Sequence, residues 1–437
     1  MLQSIRNVWR VTDLRRKIGF TILMLLIVRL GSQLPLPGIN RELFSGVFSS
    51  GDAWDFFNMI TGGSMEQMSL FALNITPYIT ASIIIQLLAI AIPRLEELRK
   101  DGEEGRKKLE KYTRIIAVIL SLVQATAMTI GFGRSGYLTS FTPLPVIALI
   151  AGMTGGSVLL MWIGERITKK GVGNGISIIL AVNILSRIPG DFIALYEQFI
   201  AGKKLPFAIL AGAVILAIVS ALILFIILLQ GGERKIPIQG SAKMGNRRTP
   251  LGRSSIPMKV NTAGVMPVIF AQSLMQTPLM IASVFGAGNG NSIGDKILQG
   301  LNQNNWFNPS GWVYTLGAAL YLVLLIAFAY FYTSITFNPY EITENLKRSG
   351  ASIPGIRPGK PTCDYLKGIL KYVIFIGAVA LAILAFVPII LNGLAHASVS
   401  FGGTSLIIVV GVILETIKSV ESQMQVHNYN GFLSRKA

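Results

Sequence analysis

Long apolar runs recur along this chain, and they constrain its fold more than any other feature. A helix needs about 20 apolar residues to cross the hydrocarbon core of a bilayer, and ten runs of roughly that length are present. Their bounds are 18–36, 75–92, 115–133, 143–163, 175–193, 206–229, 261–284, 312–335, 372–392 and 403–418. Only 14% of the residues are charged, against about 25% in soluble domains. The sequence therefore predicts an all-α integral membrane protein with ten transmembrane helices.

Basic residues are distributed unevenly between the connecting segments. Of the 39 lysines and arginines, 32 fall at the two ends and in alternate connections, 93–114, 164–174, 230–260 and 338–371. Cytoplasmic segments of membrane proteins carry this excess, so we expect a multi-pass protein of the cell (inner) membrane with both termini in the cytoplasm. The asymmetry also accounts for the net charge of +18. Nucleic-acid binding is thus a weak explanation, whereas a ribosome or an acidic motor surface remains compatible.

We predict that the two ends of the chain, residues 1–17 and 419–437, are cytoplasmic segments. Residues 5–16 alternate apolar and basic side chains, which fits either an amphipathic helix in the membrane interface or a basic flank to the first span. The first apolar run is too long for the apolar core of a signal peptide, so we expect no cleavable signal peptide.

Three connections look specialised. Segments 230–260 and 338–371 are long and rich in Lys, Arg, Gly and Pro, which favours docking of a large partner over a merely solvated loop. Segment 56–74 is partly apolar but interrupted by Gly62, Gly63 and Ser64. It is too polar to face lipid, so it predicts a short re-entrant helix surrounded by protein or water; the alternative is an outer loop with one amphipathic turn.

Groups for catalysis or cofactor binding are scarce. The histidines are His396 and His427 and the single cysteine is Cys363, so no metal cluster and no internal disulfide are expected. The run GVGNG at 171–175 predicts a tight turn before a helix. The run GIRPGKPT at 355–362 is one residue short of a phosphate-binding loop and has proline in place of the required Ser or Thr. We expect no enzyme activity, no metal and no cofactor.

Two other classes of membrane protein remain as alternatives. A ten-helix permease coupled to protons or sodium generally needs Asp, Glu or His inside the membrane, and the apolar runs contain none in their interiors. An intramembrane enzyme needs a nucleophile paired with a base, which the runs also do not offer. Both alternatives are therefore disfavoured against a passive channel.

Six segments, taken together and in order, resemble the SecY family of protein-conducting channels, in its bacterial form. They are NITPYITASIIIQLL (74–88), GEEGRKKLEKYTR (102–114), LLMWIGERITKKGVGNGISIIL (159–180), IPMKVNTAGVMPVIFA (256–271), FNPYEITENLKRSGASIPGIRPGKPT (337–362) and FGGTSLIIVV (401–410). The resemblance implies two inverted pseudo-symmetric halves, 18–193 and 206–418, around an hourglass pore. Such a channel passes unfolded secretory proteins across the membrane and releases membrane segments laterally into it.

The resemblance also assigns roles to residues. A ring of aliphatic side chains would close the waist of the pore. By position this ring falls on Ile75, Ile79, Ile176, Leu180, Ile269 and Ile408. The alternative is ordinary packing, since apolar side chains are the default inside a bilayer. Segment 56–74 would be the plug, with its candidate residues Gly62, Gly63, Ser64, Met65 and Met68. The second and seventh spans would form a lateral gate.

Partners are implied by the resemblance as well. They are the small membrane subunits SecE and SecG, the motor ATPase SecA, the ribosome, signal peptides, unfolded polypeptides and membrane lipid. Segments 230–260 and 338–371 would receive SecA or the ribosome, with Arg357, Arg247 and Arg248 as candidate contacts. The middle of the first segment, GSAKMGNRRTPLGRSS, departs from the family pattern, so specific contacts there rest on weaker ground than Arg357.

Overall fold

Helices account for most of the computed structural model, which describes residues 11–39, 61–134, 136–201, 205–240, 254–284, 293–307, 312–395 and 403–434. A helix occupies each of the ten predicted spans. These ten helices are α1 (Thr12–Ser32), α2 (Thr76–Ala91), α4 (Gly102–Arg134), α5 (Pro143–Lys170), α6 (Gly175–Phe199), α7 (Leu205–Gly231), α8 (Met266–Val284), α10 (Leu316–Thr336), α12 (Lys360–Ala395) and α13 (Gly403–Ser434). Shorter elements lie between them: α3 (Pro93–Lys100), α9 (Ile293–Leu301) and α11 (Pro339–Arg348), with strands β1 (Glu233–Gly240), β2 (Ser254–Lys259) and β3 (Ala351–Ser352).

Length and hydropathy support membrane insertion. Within the described part of the chain, six helices are long and apolar enough to cross a membrane, and a seventh is added if the bent pair α2 and α3 counts as one span. Their lipid-facing surfaces are apolar, as with Leu144, Leu216 and Leu228, which are each at least 70% exposed. Exposed leucines of this kind are expected where the surrounding solvent is lipid.

A sharp bend of 107° separates α2 from α3. Pro93 begins α3, and the residue before it, Ile92, is in an extended conformation, because a proline disfavours the helical region for the residue that precedes it. The chain then turns back into α4, where the backbone of Leu98 lies against Gly105. The basic connection 93–114 is therefore a helical hairpin.

The helices pack in two groups that follow the chain order. In the first group α2 packs on α4, α4 on α5, and α5 on α6, while α1 contacts α5 and α6. In the second group α8 packs on α10, α10 on α12, and α13 on both α7 and α12. The groups meet where α13 and α7 contact α6 and where α8 contacts α4. The halves 18–193 and 206–418 and their inverted symmetry stay predictions.

The two long basic connections fold together, which the sequence did not predict. Strand β1 pairs antiparallel with β2, with Ile236 opposite Ile256, and its far end pairs antiparallel with β3. The order of the sheet is β2-β1-β3. Ile236 and Ile353 pack in one buried cluster with Leu366 at the start of α12. Segments 230–260 and 338–371 are therefore one structural unit, of which residues 241–253 lie outside the described residues.

Helix bounds differ from the predicted spans mainly on the basic side. Helix α12 begins twelve residues before the predicted span, and α13 continues through the predicted tail to Ser434. Residues 412–429 contain neither proline nor glycine, so nothing in them interrupts the helix. At the other end, α1 begins at Thr12 and runs straight into the first span; the rest of the predicted segment 1–17 lies outside the described residues.

The described part of segment 56–74 is mostly buried and mostly not helical. Residues 62–75 form consecutive turns, with left-handed backbone at Gly62, Gly63, Met68 and Asn74. A regular helix cannot contain such positions, so the predicted helix is corrected to a turn-rich segment between 62 and 75. Its interior position agrees with a re-entrant segment, and residues 56–60 lie outside the described residues.

Candidate functional site

The six residues predicted to form a ring meet in one apolar cluster between the two groups of helices. We call this the waist cluster. Ile75, Leu180, Ile269 and Ile408 are among its buried members, and Ile79 and Ile176 pack against it partly exposed. The cluster joins residues that are up to 333 positions apart in sequence, from Ile75 to Ile408. The structure therefore brings together all six residues, which periodicity alone could not have selected.

Local structure sets the position of each pair. Ile75 occupies the N-cap position of α2, and Ile79 lies one helical turn later. At the start of α6, the Asn174 side chain accepts hydrogen bonds from the backbone N–H groups of Ile176 and Ser177. This N-cap satisfies donors that the first helical turn leaves free, and it begins α6 where Ile176 and Leu180 reach the cluster. The predicted tight turn at 171–175 is thus confirmed.

A cavity of about 400 Å³ ends at the waist cluster. Ile79, Ile176, Leu180 and Ile269 line its inner end. Its lining also includes Tyr78, Ser82, Ile85, Gln86, Arg99, Arg106, Glu110, Met266, Phe270 and Tyr332. The charged members come from the hairpin of α3 and α4, so the cavity opens towards the side that we predict to be cytoplasmic. The lining thus combines charged side chains from α3 and α4 with aliphatic side chains from α2, α6 and α8.

Helices α2 and α8 face each other across this cavity. Ile79 and Ile85 come from α2, whereas Met266, Ile269 and Phe270 come from α8 or its first turn. Helix α8 also packs against α4 on one side and α10 on the other. The helices of the predicted lateral gate therefore border the cavity directly.

Two of the candidate plug residues pack in an apolar cluster separate from the waist cluster. Met65 and Met68 are 2% exposed and belong to a second apolar cluster with Met128 of α4 and Met153 of α5. Ser64 is also buried. Thioether side chains are flexible and adapt to irregular gaps, so this cluster gives the segment a deformable seat. We call these four methionines the methionine seat.

Gly62 fits a site where no side chain has room. A Cβ at this position would lie 2.7 Å from the backbone oxygen of Asn183 and 3.0 Å from Nη1 of Arg29. Its φ of +66° is also a conformation that glycine adopts without strain. Gly63 has a similar φ of +83°, but a Cβ there would meet nothing within 4 Å. The close approach is therefore specific to Gly62.

Backbone hydrogen bonds tie the later part of segment 61–75 to its surroundings. The N–H of Leu36 donates to Met68 O at 3.0 Å, and the N–H of Leu70 donates to Leu34 O at 2.8 Å. Ser157 Oγ donates to Asn74 O at 3.0 Å. By contrast, the N–H groups of Ser64, Gln67 and Ser69 donate to oxygens within residues 61–64. The earlier part is thus a compact turn, and the later part is fixed to α5 and to the residues after α1.

The candidate docking residue Arg357 is exposed on the turn between β3 and α12. Its backbone oxygen accepts a hydrogen bond from Thr362 Oγ1 at 2.8 Å, which fixes the turn and leaves the guanidinium outside. Arg247 and Arg248 lie outside the described residues. Nearby, Lys367 Nζ donates to Tyr340 Oη at 2.5 Å, and this hydrogen bond raises the pKa of Lys367.

The amino-acid sequence is similar to those of known proteins over almost its whole length. A model of the SecY family matches residues 69–417. The protein translocase subunit SecY of Bacillus subtilis is 42% identical over 99% of this chain and 100% of its own length. The SecY subunit of Mycobacterium tuberculosis is 39% identical over the same shares. The chain belongs to the SecY family. The resemblance drawn from the six sequence segments is thereby confirmed.

Solved structures agree on the fold of this SecY family member. A protein-conducting channel superposes with a TM-score of 0.67 at 18% identity, covering 94% of this chain and 93% of that one. Sec61 from a canine ribosome-channel complex of the endoplasmic reticulum gives a TM-score of 0.63 at 18% identity, with the same coverage. The fold class, an all-α multi-pass membrane protein, is confirmed.

Sequence reasoning missed several residues that shape this SecY site. Met128 and Met153 sit inside apolar spans, where a methionine carries no signal of its own. Asn74 and Asn183 join across the bundle, with Asn183 Nδ2 donating to Asn74 Oδ1 at 3.3 Å. Two asparagines inside or beside apolar runs are a signal of buried polar contact, and they could have been noted as such. That these two asparagines would contact each other could not be predicted from the sequence.

Cofactor chemistry finds no support in the described residues. No group of three or more His, Cys, Asp or Glu side chains there is arranged to hold a metal ion. Cys363 is buried at the start of α12. Residues 355–359 form turns with left-handed backbone at Gly355 and Gly359, which fits the expected turn rather than a phosphate cradle.

Proposed function

We propose that this chain is the central pore-forming subunit of a protein-conducting channel, a passive gated pore rather than an enzyme. It would pass unfolded secretory proteins across the cell (inner) membrane and release membrane segments laterally into lipid. The observation that carries the proposal is the cavity lined by Ile79, Ile176, Leu180 and Ile269, four aliphatic side chains from both groups of helices. Ile75 and Ile408 pack in the same apolar cluster as these four. Membership of a family whose relatives are protein translocase subunits supports the same function.

The waist cluster has the chemistry of a seal. A narrow apolar constriction blocks ions because water cannot hydrate it. Branched side chains such as Ile79 and Ile408 can part for a peptide without forming hydrogen bonds to it, so they would not retain any one sequence. Leu180 seals in the same way but is less restricted at χ1 than isoleucine.

Segment 61–75 acts as the plug in this proposal. Phe71 and Ile75 of this segment pack in the waist cluster. Met65 and Met68 pack in one cluster with Met128 and Met153, the other two residues of the methionine seat. In this proposal the earlier turn moves aside when a polypeptide enters the pore.

The lateral gate would lie between α2 and α8, which border the cavity. A signal peptide entering the cavity would meet apolar side chains of α2 and α8, which suit its apolar core. The halves 18–193 and 206–418 would move apart to open the gate, with the connection between α6 and α7 joining them.

Docking is proposed for the cytoplasmic unit made of β1, β2, β3, α11 and the start of α12. Among solved structures with this fold is Sec61 in a ribosome-channel complex, which supports the ribosome as a partner of this exposed basic unit. SecA would use the same surface, with Arg357 as a contact, and SecE and SecG would complete the channel in the membrane. Both termini would lie in the cytoplasm.

The test is reconstitution in vesicles. The purified chain with SecE and SecG is placed in phospholipid vesicles, and an unfolded secretory precursor is added with SecA and ATP. We expect protease-protected precursor inside the vesicles. Vesicles that contain SecE and SecG alone are the control. Protection that is equal in both preparations would show that this chain is not the pore.

A further inference from the structure

Helix α7 is the least packed of the six helices in the described chain that are long and apolar enough to cross a membrane. In its most apolar stretch 11% of the residues are buried, whereas the corresponding share in the other five helices is 29% to 50%. Helix α7 packs mainly on α13, and it contacts α6 and α12 less extensively. Space therefore remains between α7 and α12.

This space is an open groove of about 420 Å³. All the residues that line it are apolar. They are Phe225 and Leu229 of α7, and Phe375, Ile376, Val379, Ala380 and Ile383 of α12. Phe375, Ile376 and Ile383 are each more than half exposed, so the groove opens onto the surface that faces lipid.

The volume of the groove limits what can fill it. The groove runs along α12 from Phe375 to Ile383, which is about 12 Å of helix axis. A helix about 10 Å wide would occupy about 900 Å³ over that length, roughly twice the volume of the groove. Pockets of about 300–1,000 Å³ are typical of small ligands. The groove therefore has the size and the polarity for a hydrocarbon chain rather than for a helix.

A cation and a phenol lie at one end of the groove. On α12 the lining residues form two rows, 375–379–383 and 376–380, because residues four apart share one face of a helix. One turn before the first row is Lys371, and one turn before the second is Tyr372. Both side chains are exposed. No charged residue follows Lys371 in the apolar run 372–392, so both lie where the apolar surface begins.

The charge at this end of the groove is positive. The Lys371 ammonium has no partner among the described residues, and Lys367 places a second exposed cation one turn further along α12. Glu233, just beyond the end of α7, is paired with Lys418 at 3.8 Å. Asp364 lies almost two turns before Lys371, about 10 Å along the helix axis. The ammonium of Lys371 is therefore free to bind an anion.

We propose that the groove binds one acyl chain of an anionic phospholipid, whose phosphate lies at Lys371 and Tyr372. Basic side chains at the membrane surface attract anionic headgroups, and tyrosine is enriched at the same level of the bilayer. The bound lipid fills the space between α7 and α12 and so adds contacts to the least packed helix. The inference goes beyond the proposed function, because this lipid stays bound and does not depend on the path of the polypeptide.

The test uses the complete channel, with SecE and SecG, in vesicles that contain a trace of phosphatidylglycerol with a photoreactive diazirine in its acyl chain. After illumination, mass spectrometry locates the adducts, and labelling of the groove is expressed relative to the lipid-facing surface of α5 around Ile147. One lysine at the membrane surface favours an anionic lipid by about fivefold. We therefore expect residues 225–229 and 375–383 to be labelled about fivefold more than with the matching phosphatidylcholine probe.

Two variants separate the headgroup contact from the groove. Lys371→Gln should remove the preference for phosphatidylglycerol and leave labelling by the phosphatidylcholine probe unchanged. Ala380→Trp places a ring in the groove and should lower its labelling by both probes. Lys169→Gln is the matched control, since Lys169 is an exposed cation in the last turn of α5 and lies outside the groove. It should leave the preference at the groove at the wild-type value.

Three results would overturn the lipid site. Equal labelling by the two probes in the wild-type channel would show that the groove holds bulk lipid only. An equal loss of preference in Lys169→Gln and Lys371→Gln would show that the charge of the whole surface attracts the probe. Absence of adducts from the groove would show that lipid does not occupy it. None of these results bears on the proposed pore, which the transport assay tests separately.

Discussion

At the scale of single residues, the proposed seal depends on apolar side chains beside the cavity and in the waist cluster. Ile79 is partly exposed to the cavity, and Ile408 is buried at 2% exposure in the same cluster. Each side chain has two possible roles, sealing a pore or packing a core. The two roles lead to opposite results when a polar group is introduced.

Replacing Ile79 or Ile408 with Asn is expected to raise ion conductance in planar bilayers. An amide beside the cavity can stabilise a file of water through a waist that is otherwise too apolar to hydrate. Channel assembly should stay near normal in Ile79→Asn, because Ile79 lines the cavity and its replacement amide can reach water. Ile163 of α5 is the control, since it is 2% exposed and lies in the same cluster without belonging to the ring.

Ile163→Asn buries an unsatisfied amide, which costs about 1–3 kcal/mol, so assembly should fall and conductance should not rise. The sealing role would be wrong if Ile79→Asn and Ile408→Asn behaved like this control.

Arg357→Glu is expected to impair SecA-driven transport while the channel still inserts into the membrane. A guanidinium can bind a carboxylate through two parallel hydrogen bonds, which neither glutamate nor lysine can reproduce. The measurement is the transport rate into vesicles at equal amounts of channel. Lys169→Glu, in the exposed last turn of α5 and outside the proposed docking unit, makes the same change in charge and serves as the control. Equal rates in wild-type and Arg357→Glu channels would remove Arg357 from the docking surface.

At the scale of elements, segment 61–75 shows how little of a re-entrant structure can be read from sequence. Its burial followed from its position between two spans and its mixed polarity. Its turns did not, because they depend on contacts with distant residues such as Asn183, beside Gly62. The same limit applies to β1 and β3, which pair across about 110 residues of sequence. Strands joined by a short hairpin turn can be predicted from the turn residues, but no such turn joins these two.

Gly62→Ala is expected to loosen this segment and raise the basal conductance. The new Cβ would overlap Asn183 O and Arg29 Nη1, so the turn must move. Alanine in a left-handed conformation also costs about 1–2 kcal/mol. Gly63→Ala carries the same backbone cost without the overlap, which makes it a matched control. Conductance and plug accessibility to a thiol reagent should rise more in Gly62→Ala; an equal rise in both variants would show that the contact itself is unimportant.

At the scale of the whole molecule, the sequence predicted the helices well because burial in lipid is a strong and local constraint. Each of the ten apolar runs became a helix. The ring was different: its six members were assigned by resemblance, since an isoleucine in a span looks the same whether it faces lipid, a neighbour or a pore. Ile75, Leu180, Ile269 and Ile408 converge in one cluster, which also holds residues outside the ring such as Ile163, so their role as a ring stays a prediction.

The predicted topology can be tested with single cysteines in a chain whose native Cys363 has been replaced by serine. Cysteines at Thr139 and Lys296, both exposed, should react in intact cells with a thiol reagent that cannot cross the membrane. Cysteines at Glu103 and Ser349, also exposed, should react only after the cells are opened. The expectation rests on the excess of basic residues on one side. Labelling of the second pair in intact cells would reverse the orientation.

The most direct measurement is photo-crosslinking from the waist to a polypeptide arrested during transport. A photoreactive amino acid is placed at Ile79 or Ile408, and in separate channels at Ile147, which is 63% exposed on the lipid-facing surface of α5. If translocating chains pass through the waist cluster, the arrested precursor forms adducts with positions 79 and 408 and not with 147. Adducts confined to position 147, or absent from both ring positions while transport proceeds, would place the path of the polypeptide elsewhere.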